Sequence, residues 1–122
     1  SPPAITKNYW PVALPAQTLS SADPAAAVEV LGVSRDLGDS VMTVYAVRKA
    51  DGSLGVLLVN KSSRAYDVGI NLPAIPQSVT ARRIGPAEYA ASSGPATVAT
   101  TKSSRRVTVP VPATSIVGLE IR

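Results

Sequence analysis

From residue 27 onward, apolar side chains recur at every second position, the period of a strand that buries one face and wets the other. In AVEVLGV (27–33) Val28, Val30 and Gly32 share a side, and in VMTVYAVR (41–48) Met42, Val44 and Ala46 alternate with Thr43, Tyr45 and Val47. Tyr45, in the middle of its strand, is expected in the core. The alternation is cleanest in AYDVGINL (65–72), where Tyr66, Val68, Ile70 and Leu72 oppose Asp67, Gly69 and Asn71. LGVLLVN departs from it with an unbroken apolar run over 56–59, which predicts a central strand covered on both faces. SVTARRI (78–84), RVTVPV (106–111) and SIVGLEI (115–121) read as further strands, with Pro110 at an edge or a bulge because proline has no ladder N–H. Gly85 to Ser104, rich in Gly, Pro, Ala, Ser and Thr, reads as a long excursion with one short edge strand at ATVAT (96–100).

The breaks between these runs are turn chemistry. Asp51-Gly52 between two apolar runs predicts a hairpin with Gly52 in the left-handed region. SRDLGDS and NKSSR supply two more turns, and Pro73 and Pro76 stop the strand before them. Seven or eight short strands so connected define an all-β protein, a two-sheet antiparallel β-sandwich of immunoglobulin-like general architecture. The Cys-Trp-Cys pattern of antibody domains is absent.

Residues 1–26 differ. They hold five of the 11 prolines and no regular period, so they read as a proline-rich lead-in or linker, with 27–122 as the sandwich module. Within the lead-in Tyr9, Trp10, Val12 and Leu14 are expected to pack on the module's own sheet or on a neighbouring domain. DPAAAVEVL predicts a single helical turn capped by Asp23. The start, SPPAITKNYW, lacks the basic-then-apolar order of a signal peptide, as a mature or excised segment would.

Composition narrows the chemistry. With 45% hydrophobic and 16% charged residues the 122-residue chain is globular and long enough for one core. No apolar run approaches the roughly 20 residues that cross a bilayer, so no membrane partner is expected. The chain has no Cys and no His, which removes disulfides, thiolate metal sites, the commonest general base and the Ser-His-Asp arrangement together. No cofactor or metal is called for. Asp36 and Asp39 lie three apart in a loop, too few oxygen ligands for calcium by themselves. The eight acids fall mainly in turns or on outward strand positions and form no facing pair of the kind that hydrolyses glycosides. Asn60-Lys61-Ser62 matches the short glycosylation triplet.

The net charge of +4 sits in the second half, where Arg82, Arg83, Lys102, Arg105 and Arg106 fall, without the interleaved aromatics of a single-strand binder; no nucleic-acid partner is expected. Sugar binding asks instead for exposed flat aromatics beside amide, carboxylate or guanidinium groups. The candidates are Trp10, Tyr66 with nearby Arg64, and Tyr89 with nearby Glu88.

VMTVYAVRKADGSLGVLLVNKSSRAYDVGINLP (41–73) resembles the C-terminal β-sandwich that follows the (β/α)₈ barrel in several clans of glycoside hydrolases, where a strand with Tyr-Ala-x-Arg, an Asp-Gly turn and an apolar strand ending in Asn-Lys recur. VPVPATSIVGLEIR (109–122) is similar to the terminal strand pair of those domains, and NYWPVAL (8–14) to the end of the last barrel helix. The resemblance implies a non-catalytic accessory module of a secreted polysaccharide-degrading enzyme. Its expected partners are a plant polysaccharide and the catalytic barrel of the same parent chain. It also leaves two alternatives, a purely structural scaffold for the barrel and an immunoglobulin-like adhesion module that binds protein.

Overall fold

In the computed structural model the described residues are 14, 15, 17–19, 29–31 (as backbone), 41–91 and 94–122. Among them are nine strands: β1 (Glu29–Leu31), β2 (Met42–Arg48), β3 (Leu54–Asn60), β4 (Tyr66–Asn71), β5 (Val79–Ile84), β6 (Ala96–Val98), β7 (Thr101–Ser103), β8 (Arg106–Val111) and β9 (Ser115–Ile121). All pair antiparallel, as one six-stranded sheet in the order β1-β2-β3-β9-β5-β6 and one three-stranded sheet in the order β4-β8-β7. The architecture is the expected all-β sandwich. Its one additional strand is β7, three exposed polar residues with no alternation to announce them.

The two sheets share a core of Met42, Val56, Leu58, Ala81, Val117, Leu119 and Ile121 from the large sheet against Val107, Val109 and Val111 from the small one. Tyr66, Val68 and Ile70 pack on it from β4, as their alternation predicts. At about 2 kcal/mol for each buried aliphatic side chain, this core is the main term opposing the chain's conformational entropy. Pro110 lies on β8 beyond the last residue paired with β7, so its missing N–H falls where the strand has a neighbour on one side only.

β3 lies between β2 and β9, and its apolar run is covered twice. Val56 and Leu58 face the core, while Leu57 and Gly55 face the other side, paired across from Gly118 and Glu120 of β9. That outer face meets a helical stretch formed by residues 14, 15 and 17–19. Leu14 and Thr18, four apart and so on one side of a helix, are 0% and 1% exposed. Thr18 sits over Gly55 and Gly118, whose missing side chains leave the space it fills. Lys49 Nζ clamps the stretch, donating to Gln17 O at 3.3 Å and to Glu120 Oε1 at 3.2 Å, and Arg82 reaches Gln17 Oε1 at 3.1 Å.

The Asp51-Gly52 turn forms as expected, with Gly52 at φ 85° and Lys49 N–H bonded to Ser53 O at 2.8 Å. Asp51 Oδ1 accepts from Ser53 Oγ at 2.6 Å and Ser53 N at 2.9 Å, bonds that hold its carboxyl below the ordinary value. A depressed carboxylate pKa contributes stability above the unfolded value, near 3.9, and loses it as pH falls through the lower folded one. Amide exchange at Gly52 and Ser53 is therefore expected to accelerate below about pH 4 beyond its intrinsic trend, and Asp51→Asn to remove that excess.

Candidate functional site

The strand directions bring four of the five candidate residues to one end of the sandwich. Asn60 ends β3, Tyr66 begins β4, Ile84 ends β5 and Ser115 begins β9, so Arg64, Tyr66, Glu88 and Tyr89 all fall at that end. Trp10, like Asp36, Asp39 and the Asp23 helical turn, lies outside the described residues.

Tyr66 is half-buried, its ring packed on the core, and the Arg64 guanidinium stands 5.6 Å from the ring centroid. The cation covers the face that a sugar ring would stack on, so Tyr66 and Arg64 form one unit: a guanidinium presented on an aromatic support. Arg64 itself is exposed.

Glu88 and Tyr89 belong to a short helix, Pro86–Ala91, where the sequence suggested loop. Pro86 begins the helix, a position at which its missing N–H costs nothing. Glu88 turns back so that Oε1 accepts from Gly85 N at 3.0 Å and from Arg83 Nε at 3.1 Å. It is a buried capping carboxylate holding a cation, and Tyr89 beside it is 45% exposed. Glu88→Ala is expected to fray the helix and cost about 1–2 kcal/mol in urea unfolding, with Glu88→Gln recovering part of it because the amide oxygen still caps Gly85.

Asn60 is not available as a glycosylation acceptor in the fold. Its side chain is buried and bonded at both ends: Nδ2 donates to Arg64 O at 2.8 Å, Pro112 O at 3.0 Å and Val111 O at 3.3 Å, and Oδ1 accepts from Ser62. The amide ties the Asn60–Arg64 loop to the turn at Val111 and Pro112.

An aromatic that the periodicity misplaced is Tyr45. It is 51% exposed on the outer face of the large sheet, not in the core. Alternation shows which residues share a face; it does not show that the odd face of β2, beside Leu57 and Gly55 of β3, stays open at Tyr45. Among the described residues no group of three or more acids stands close enough to hold a metal ion.

No protein-family profile matches the chain, and no curated protein does. Solved structures do. The fold matches a GH30 endoxylanase from Clostridium papyrosolvens C71 with a TM-score of 0.70 at 16% identity, over 95% of this chain and 28% of that one. It matches CelM2, a bifunctional glucanase-xylanase from a metagenome library, with a TM-score of 0.68 at 19% identity, over 99% of this chain and 23% of that one. The catalytic domain of GH30 xylanase C from Talaromyces cellulolyticus gives 0.67 at 22% identity, over 78% of this chain and 20% of that one. The chain thus has a β-sandwich fold that occurs as a part of glycoside hydrolases. It spans between a fifth and a little over a quarter of the length of these enzymes.

Proposed function

We propose that the chain is a non-catalytic accessory β-sandwich of a secreted polysaccharide-degrading glycoside hydrolase, and that it binds plant polysaccharide beside the catalytic barrel of its parent. The observation that carries this reading is the coverage: nearly the whole chain matches a minor part of enzymes named for glucan and xylan hydrolysis. The residue chemistry agrees with it, since among the described candidates the exposed groups, Arg64 and Tyr89, are cationic and aromatic and the buried carboxylate Glu88 is committed to Arg83 and Gly85. Residues 1–26 then serve as the lead-in from the barrel. Arg64 on Tyr66, together with Tyr89 and Trp10, forms the sugar-facing set, with Glu88 fixing the helix that presents Tyr89.

Calorimetry of the purified chain against plant β-glucans, xylans and mannans, alongside a reducing-sugar assay on the same polymers, tests it. Heat of binding without sugar release is expected. Release would overturn the non-catalytic assignment, and silence across the panel would overturn binding. A structural role for the module is favoured by one feature, the seating of Leu14 and Thr18 against Gly55 and Gly118, which fastens that helical stretch to the sandwich. Under that alternative the panel is silent and the module acts by stabilising the barrel.

A further inference from the structure

The face of the three-stranded sheet that points away from the core carries a row of polar residues in fixed register. Asn71, Arg106 and Ser103 stand side by side across β4, β8 and β7, with Gly69, Thr108 and Thr101 in the next row. Arg106 is exposed, yet its position is built. The guanidinium lies flat on Gly69, so close that Nε, Cζ and Nη2 all occupy the space a Cβ there would need, and Nη1 donates to Asn71 Oδ1 at 2.8 Å. A guanidinium has five N–H donors; the single bond to Asn71 leaves a planar fork with its remaining donors available and its outer face in solvent. Arg105 stands exposed in the turn of the same hairpin, while Lys102, paired with core-facing Val107, points to the opposite face; among the described residues neither they nor Arg106 form an ion pair. The nearest acid on this face of β4, Asp67, is two residues from Gly69, roughly 7 Å along the strand, and forms no ion pair with the guanidinium.

A flat, hydroxyl-rich face with a pre-oriented guanidinium, and a second cation at its hairpin turn, is complementary to a sugar polymer that carries carboxylates. Arginine takes a carboxylate through two parallel N–H bonds, which a mobile lysine cannot reproduce. Resting on the accessory-module reading, we propose that the outward face of β4-β8-β7 binds carboxylated polysaccharide, with Arg106 holding a uronate carboxylate and Arg105 at the hairpin turn steering the chain.

Titration of the 122-residue chain with oligogalacturonate in a calorimeter tests this. Binding is expected to weaken as salt is raised and to vanish with the carboxyl-reduced oligomer. Arg106→Lys and Gly69→Ala are each expected to weaken it about tenfold, the first removing the fork and the second displacing it, both at unchanged net charge. Asn71→Ala, which removes only the orienting bond, serves as a third variant should Gly69→Ala melt early. Full affinity in Arg106→Lys and Asn71→Ala, or equal affinity for polyglutamate of the same charge, would reduce the site to nonspecific attraction and overturn the proposal. Binding to neutral β-glucan, xylan or mannan but not to oligogalacturonate overturns this inference alone; binding to no glycan overturns it together with the polysaccharide-binding reading.

Discussion

Replacing Gly55 with alanine is expected to unseat the helical stretch of residues 14, 15 and 17–19 and cost about 2–3 kcal/mol of stability. A Cβ at Gly55 would collide with the backbone carbonyl of Thr18 and lie 3.2 Å from Val47 Cγ2. A backbone carbonyl cannot rotate aside as a side-chain tip can, so the helical stretch must lift. Lifting exposes Leu14, now fully buried, and breaks the bond from Lys49 to Gln17 O. At Gly118 the obstruction is the Thr18 hydroxyl, with Leu14 Cδ1 at 3.4 Å, and a rotamer change relieves most of it. Gly118→Ala should therefore cost less than Gly55→Ala. Urea denaturation of Leu14→Ala, Gly55→Ala and the pair provides the decisive comparison. If both single changes undo one docking contact, the double variant loses clearly less than their sum; strict additivity would mean that the helical stretch does not depend on Gly55.

The same contact marks where the sequence stops being legible. Strands β2, β4, β8 and β9 could be read because one buried face imposes a period of two, and β3 because two buried faces erase it. Gly55 and Gly118, taken singly, only weaken strand positions 63 residues apart in the chain (118 minus 55). Register places them on neighbouring strands of one face, and only then do they become a floor for Thr18. The Pro86–Ala91 helix was legible in principle, since Gly85-Pro86 followed by Glu88 is a proline-started capping pattern, but its surroundings share the composition of a loop. Among the candidate ligand residues, chain position brought Arg64 near Tyr66. That the cation would lie over the ring, and that Glu88 would be spent on Arg83, depends on packing that spacing alone does not specify.

Asn60 is expected to be the polar residue whose loss disturbs the candidate end of the sandwich most. Its amide joins the Asn60–Arg64 loop to the turn at Val111 and Pro112, and Thr114, a β-branched residue held at φ 53°, donates its N–H to Ser62 O at 3.0 Å in the same junction. Asn60→Ala leaves the Arg64, Val111 and Pro112 carbonyls without that donor and the Ser62 N–H without its acceptor, for a loss of about 2–4 kcal/mol. Asn60→Asp keeps the acceptor toward Ser62 but sets a buried carboxylate against three carbonyl oxygens. Desolvation and repulsion raise its folded-state pKa above the unfolded value near 3.9. The charge penalty is thus absent below about pH 3.9 and grows as pH rises through the interval between the two values. At pH 7 Asn60→Asp should be less stable than Asn60→Ala, and at pH 4 the order should narrow or reverse, because a protonated acid donates one hydrogen bond where alanine donates none. Denaturation midpoints of both variants at the two pH values check this; a pH-independent difference between them would mean that the Asn60 site is open to water and that its amide does not hold the loop and the turn together.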